Sequence, residues 1–196
     1  AGETVTVVDL DDREPLLPLF GVRGPAGENG GAATSPRCSP APPWTPPTLP
    51  PEIYSIFDGG AGRVFLDAGG DDAGVTALGG LHSQLAEAGY DMLYVVNRYR
   101  VLSQTPEEAA ALLAEIETAS RLKATAVVNN SHLGVETKLS DLTAALPFAQ
   151  KAAELTGLPL LYSTAPDFAL RPGETLPEGF KPIRRYVKFL WEQEEQ

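Results

Sequence analysis

The sequence predicts an α/β fold of the doubly wound kind, a mainly parallel sheet with helices on both faces. Three observations lead there. Short apolar runs at residues 5–8, 64–66, 92–96, 124–128 and 158–162 alternate with stretches of helical period. Each run is nearly continuous in its apolar character, as expected of strands buried on both faces of a parallel sheet. Each also gives way to Asp, Asn or Gly soon after, the residues that open loops.

Taken in order, the first strand is a β-branched run, residues 5–8, that opens into an acidic loop carrying Asp9, Asp11 and Asp12. Residues 14–51 then lose all period. The run Pro40-Ala41-Pro42-Pro43-Trp44-Thr45-Pro46-Pro47 supports neither helix nor ladder, so the segment reads as an irregular loop, long for a compact domain. Order resumes with a short helix or turn at 52–57 and a second strand at 63–66, which ends in Asp67, Gly69 and Gly70. Between 71 and 88, Val75, Leu78, Leu81 and Leu85 recur at spacings of three and four, predicting one amphipathic helix stopped by Gly89. A third strand, 92–96, ends at Asn97. Thr105 as N-cap, Pro106 in the first turn and Glu108 reaching back to the Thr105 amide then start a helix that runs to about Arg121. A fourth strand, 124–128, ends in Asn129 and Asn130. Ser140 or Asp141 caps a helix from Leu142 to about Thr156, Gly157 ends it, and a fifth strand follows at 158–162. Ile183, Tyr186, Val187, Leu190 and Trp191 share one face of a last helix. The organisation is therefore a first strand with its acidic loop (1–12), a Pro/Gly-rich irregular segment (13–51), an α/β core (52–170) and a C-terminal linker with an amphipathic helix (171–196).

Composition narrows the function. With 196 residues, 43% of them hydrophobic, the chain builds one substantial core. Fifteen basic against 26 acidic residues leave a charge of -11, which repels phosphate backbones and anionic lipid and disfavours nucleic-acid binding. One Cys excludes an intramolecular disulfide, and with only two His it offers no zinc spacing; a cytoplasmic location follows as the expectation. No apolar stretch approaches the roughly 20 residues of a membrane span. No basic-then-apolar leader opens the chain. A strand that begins almost at Ala1 raises the expectation that upstream material has been removed.

In an open parallel sheet, ligands bind beyond the carboxyl ends of the strands, where loops and helix N-termini converge. Here those ends carry Asp9 with Asp11, Asp67 with Gly69 and Gly70, Asn97, Asn129 with Asn130, and Pro166 with Asp167. Any one of them is explained by turn preference. Together they suit a magnesium nucleotide, with carboxylates for the ion and amides for the base.

The run Val5-Thr6-Val7-Val8-Asp9-Leu10-Asp11 and the run Val64-Phe65-Leu66-Asp67-Ala68-Gly69-Gly70-Asp71-Asp72-Ala73-Gly74 resemble the second strand and the Walker B strand of the MinD/ParA-like P-loop ATPases. Tyr94-Val95-Val96-Asn97-Arg98-Tyr99-Arg100, Val127-Val128-Asn129-Asn130-Ser131 and Ala165-Pro166-Asp167 resemble that superfamily's later strand ends. Within it the nearest likeness is to a group of bacterial ATP-binding proteins. The resemblance implies ATP and Mg2+ as ligands. It gives Asp9 a role in organising magnesium and the attacking water, Asp67 the magnesium shell through water, Gly70 a backbone approach to the terminal phosphate, and Asn130 with Pro166 and Asp167 the frame of the adenine. It implies a cytoplasmic ATPase whose nucleotide state controls a homodimer or a protein partner, with ATP and GTP both left open. One departure is large: Gly-x-x-x-x-Gly-Lys-Ser/Thr occurs nowhere in the chain, so the loop that cradles phosphates is missing and the chain is expected to be inactive alone. Ala1-Gly2-Glu3 resembles the tail of the helix after that loop, and residues 13–48 have the character of GC-rich DNA translated in a shifted frame. In such proteins the strand before the phosphate loop lies beside the Walker B strand, so its loss would leave the backbone of residues 63–67 an open apolar edge, prone to association unless the sheet is repaired.

Other features have plainer readings. His82 lies mid-helix without catalytic partners, His132 lies in a surface loop, and Cys38 sits in the Pro-rich segment with no base nearby. No Gly-x-Ser-x-Gly elbow is present. Arg171, Lys181, Arg184, Arg185 and Lys188 make the C-terminal region basic, yet Glu192, Glu194 and Glu195 oppose lipid, so its apolar face is expected to pack on protein rather than membrane. A noncatalytic interaction scaffold on the same fold is the alternative to the ATPase.

Overall fold

The computed structural model describes residues 5–9, 51–57, 63–69 and 72–184. They fall into two compact units: the first takes the described residues up to Gly89 together with Ala119–Arg121, the second takes Tyr90–Thr118 and those from Leu122 onward. The sequence readings on residues 10–50, on Gly70 and Asp71, and on the last helix beyond Arg184 lie outside the described residues.

In the first unit, β1 (Val5–Asp9) and β2 (Arg63–Asp67) run parallel, in register from Val5 opposite Arg63 to Asp9 opposite Asp67. Among the described residues β1 is the one strand flanking β2, and Phe65 on β2 is half exposed. A 3-10 helix spans Pro51–Phe57, where Ile53 is fully buried. The single helix expected over 71–88 is two helices, α1 (Asp72–Gly80) and α2 (His82–Ala88), which meet at Leu81. Gly79 and Gly80 supply the reason, since each glycine is worth roughly 1 kcal/mol less than alanine in a helix interior. The period itself survives the break, and Val75, Leu78, Leu81 and Leu85 are all buried. Gly79 also has a packing role. A Cβ there would lie 2.9 Å from the Ala119 carbonyl oxygen, and the same glycine's carbonyl accepts a hydrogen bond from the Arg121 guanidinium. Arg121 adopts a positive φ of 60°.

The second unit is an α/β structure on a four-stranded, all-parallel sheet in the order β3 (Leu93–Val96), β4 (Ala126–Asn129), β5 (Leu160–Pro166), β6 (Phe180–Ile183). Two crossover helices, α3 (Pro106–Ser120) and α4 (Leu139–Thr156), link β3 to β4 and β4 to β5. Their apolar faces share one core. Ala109 and Leu113 of α3 and Phe148, Ala149, Ala152 and Ala153 of α4 cluster with Tyr94, Val96, Ala124 and Val127. All four residues of β4 are buried, as expected of an interior strand in a parallel sheet. The start of α3 follows the sequence reading closely: the Glu108 N–H donates to Thr105 Oγ1 at 3.2 Å, and the Thr105 N–H donates to the Glu108 carboxylate at 3.0 Å. α4 begins three residues earlier than expected. Its cap is Lys138, whose N–H donates to the Asp141 carboxylate at 2.8 Å, so Asp141 acts from inside the first turn. Gly157 ends the helix in the left-handed region at φ 70°.

β6 corrects the sequence reading of Ile183. The residue was expected on a helix face with Tyr186 and Leu190, but it belongs to a strand whose partner is Pro166. Phe180, which pairs with Ser163, is buried against Leu142, Ala165 and Ala169. That burial and the ladder to β5 outweigh a local helical period.

Tyr94 ties β3 to α3, its hydroxyl donating to the Ala109 carbonyl at 2.9 Å inside the core. Burial pushes the Tyr94 phenol up to about 12 from its ordinary 10.0. The sign follows directly: the neutral phenol is favoured in the folded state, so this contribution is complete below pH 10 and is lost as pH rises from about 10 to about 12. Unfolding midpoints followed by circular dichroism are therefore expected to fall across that window, with a smaller fall in Tyr94→Phe; identical pH profiles for the two proteins would refute it.

Candidate functional site

The carboxyl ends of the strands are built differently in the two units. In the first, the parallel register places Asp9 and Asp67 opposite one another as the last residues of neighbouring strands. A β-strand run that ends in an acid on each chain segment thus yields two acids side by side at one sheet end, and Asp67 is partly buried there. Gly70, the third residue read into this region, lies outside the described residues.

In the second unit, hydrogen bonds stitch the loops after β3 and β4 to each other and to strand β5. Asn129, the last residue of β4, is 2% exposed. Its Nδ2 donates to Ser163 Oγ on β5 at 3.0 Å, and its Oδ1 accepts from the Ser131 hydroxyl at 2.7 Å and the Ser131 N–H at 3.2 Å. Ser131 Oγ in turn accepts from the Arg98 N–H at 2.9 Å, which joins the loop after β3 to the loop after β4. Asn97 repeats the device one strand over: its Oδ1 accepts from the N–H groups of Tyr99, at 3.0 Å, and His132, at 3.4 Å. The loop after β3 is then anchored on α4, where Arg98 Nη1 donates to the Ala144 carbonyl and the Tyr99 hydroxyl donates to the Asp141 carbonyl. The result is a rigid polar floor made of three strand ends.

Above that floor the candidate base-side residues divide. Asn130 is partly exposed, and its Oδ1 accepts from the Thr164 hydroxyl at 2.5 Å, so β5 holds the amide in place. Pro166 closes β5 and is buried. Asp167 opens an exposed 3-10 turn (Asp167–Ala169), with its carboxylate 3.8 Å from Arg184 Nε. Asn130, Pro166 and Asp167 thus share the carboxyl edge of one sheet, while Asp9 and Asp67 belong to the other unit.

The sequence reading named Asn97, Asn129 and Asn130 at strand ends but passed over Ser163 and Thr164, which receive and fix the two amides. A usable signal was present. Ser163 and Thr164 interrupt an otherwise apolar strand, and a polar pair within a buried run calls for partners on the neighbouring strand.

Among the described residues, no group of three or more His, Cys, Asp or Glu side chains gathers as a metal cage, and no helix is long and apolar enough to cross a membrane. A magnesium ion bound with a nucleotide needs no such cage, because one or two carboxylates, water and phosphate oxygens complete its shell. Comparison of the chain with protein-family models, curated proteins and solved structures returns no match.

Proposed function

We propose that the chain carries the magnesium and base sides of a nucleotide-binding α/β protein of the MinD/ParA-like kind, an ATPase in which Asp9 and Asp67 serve the ion and Asn130, Pro166 and Asp167 serve the base. The observation that carries the reading is the register of β1 and β2, which sets Asp9 opposite Asp67 at the carboxyl ends of neighbouring parallel strands. Hard carboxylate oxygens at that position fit Mg2+, and the amide of Asn130, steadied by Thr164, fits a base edge. Bound magnesium would neutralise charge on the β- and γ-phosphates. In a protein that also supplies the phosphate-binding loop, Asp9 would orient water for in-line attack on the γ-phosphorus and Asp67 would hold the magnesium ion through water. Nucleotide state would then set the affinity for a second copy or a protein partner.

The motif Gly-x-x-x-x-Gly-Lys-Ser/Thr does not occur in the sequence, so binding without turnover is the expected result. Calorimetric titration with ATP and with GTP, each with and without Mg2+, is expected to show weak, magnesium-dependent binding. Asp67→Asn is expected to lower the magnesium-dependent part by about tenfold, roughly 1.4 kcal/mol, with the circular dichroism unchanged. No phosphate release above background is expected. Binding that ignores both magnesium and Asp67→Asn would sink the proposal, and turnover abolished by Asp67→Ala would show that phosphate contacts come from elsewhere in the chain.

A further inference from the structure

Of the aromatic rings among the described residues of the second unit, only that of Phe168 is exposed, at 43%. It lies in the turn Asp167–Ala169, directly after the residues proposed to serve the base. That turn is held from beneath. Ala165 before it and Ala169 at its end are buried with Leu142 and Phe180, a cluster to which Phe168 does not belong. The ring thus stands on a turn that the core fixes without being part of the core itself. A single exposed apolar residue is ordinary, so the weight falls on its company. The turn Asp167–Ala169 lies in contact with the turn Gly134–Glu136, and Leu133, next to the latter, is 45% exposed. The same loop after β4 carries Asn130, whose Oδ1 is occupied by the Thr164 hydroxyl, which leaves its Nδ2 hydrogens to meet a ligand.

An apolar aromatic face beside an amide donor and a carboxylate is the combination that a heterocyclic base requires, a ring to lie against and groups to meet its edge. We infer that Phe168 is the base-stacking residue of this site: the base of a bound nucleotide lies against its ring while Asn130 Nδ2 donates to an acceptor on the base edge. The inference rests on the base side of the proposed function and is independent of its magnesium side. Stacking is tolerant of base identity, because every base has a π-face, so Phe168 contributes affinity and the edge groups contribute choice.

AMP without magnesium is the probe, since it offers a base and leaves the carboxylates of the first unit out of play. The full chain is titrated with AMP from about 0.1 to about 20 mM, a range set by the millimolar affinity expected of base contacts alone, and the proton NMR signals of adenine H2 and H8 are followed. In wild type both are expected to move upfield, the ring-current effect of lying over an aromatic face. Phe168→Leu keeps an apolar side chain and removes the ring; it should weaken binding by about tenfold and abolish the upfield shift, with the circular dichroism unchanged. Phe168→Trp restores a stacking face and should retain both. AMP that binds without an upfield shift, or whose affinity and shift survive Phe168→Leu, would overturn the inference while leaving magnesium-dependent ATP binding through Asp67 to be judged by its own titration. Conversely, an AMP shift that depends on Phe168 would uphold the inference even where ATP binding ignores magnesium. A wild type that binds neither AMP nor ATP would overturn both the inference and the proposed function.

Discussion

Replacing Phe148 by alanine is expected to destabilise the second unit by about 3–5 kcal/mol, the range for removing a buried aromatic ring from a core. The ring is 6% exposed and lies where α3, α4 and the sheet meet, among Leu113, Val127, Ala149 and Ala152. Its neighbours explain the size of the effect. Half of the buried cluster is alanine, Ala109, Ala124, Ala149, Ala152 and Ala153, which cannot swing into the vacated space, so the larger residues such as Leu113 and Val127 fill it only in part. Against a typical domain stability of 5–15 kcal/mol, this loss approaches the whole. Urea unfolding followed by circular dichroism should show a much lower midpoint, and Phe148→Leu should recover a good part of it. A loss below about 1 kcal/mol for the alanine variant would mean that the site collapses and that the cluster is looser than the geometry indicates.

Asn129→Leu is expected to cost about 2–4 kcal/mol, for a different reason. The change keeps the volume and removes the amide, so the Ser163 hydroxyl and the Ser131 N–H and hydroxyl lose their partners in a buried place. Each buried polar group left unsatisfied costs about 1–3 kcal/mol. A double-mutant cycle with Ser163→Ala separates this from packing: coupling of about 1 kcal/mol or more is expected from a shared hydrogen bond. Additive losses would indicate that Asn129 contributes through shape alone. The same variant bears on the ligand site, because Asn129 holds Ser131, which in turn fixes the Arg98 N–H of the loop after β3, and Asn130 is the next residue along the chain; nucleotide binding should weaken along with stability.

How much of this was legible in the chain depends on how local the controlling interactions are. The start of α3 was fully legible, since Thr105, Pro106 and Glu108 act over a single turn. The apolar stripe Val75, Leu78, Leu81 and Leu85 was legible as period, yet its division into α1 and α2 at Leu81 was not; periodicity records which side is buried and is silent on continuity through Gly79 and Gly80. β5 was expected at 158–162 and extends over Leu160–Pro166. Ser163 and Thr164 break the apolar run that marks the strand, and their place in it becomes plain only with Asn129 and Asn130 beside them. α4 continues through Pro147, with Leu142 and Ala145 buried before it and Phe148, Ala149, Ala152 and Ala153 buried after it.

By itself the sequence determined the alternation of strand and helix, the parallel character of the strands and the concentration of Asp and Asn at their carboxyl ends. These follow from hydrophobic period and turn chemistry, which act within about a dozen residues. Only the tertiary structure decided which strands neighbour which, and hence that Asp9 stands opposite Asp67, that Asn129 and Asn130 are held by Ser163 and Thr164, that residues 180–183 form β6, and that the Phe168 ring stays exposed in the turn after β5. The physical reason is range. Strand pairing joins residues well beyond a local window, Asn129 and Ser163 being 34 positions apart, and its energy comes from ladders and burial between segments, which no local pattern encodes.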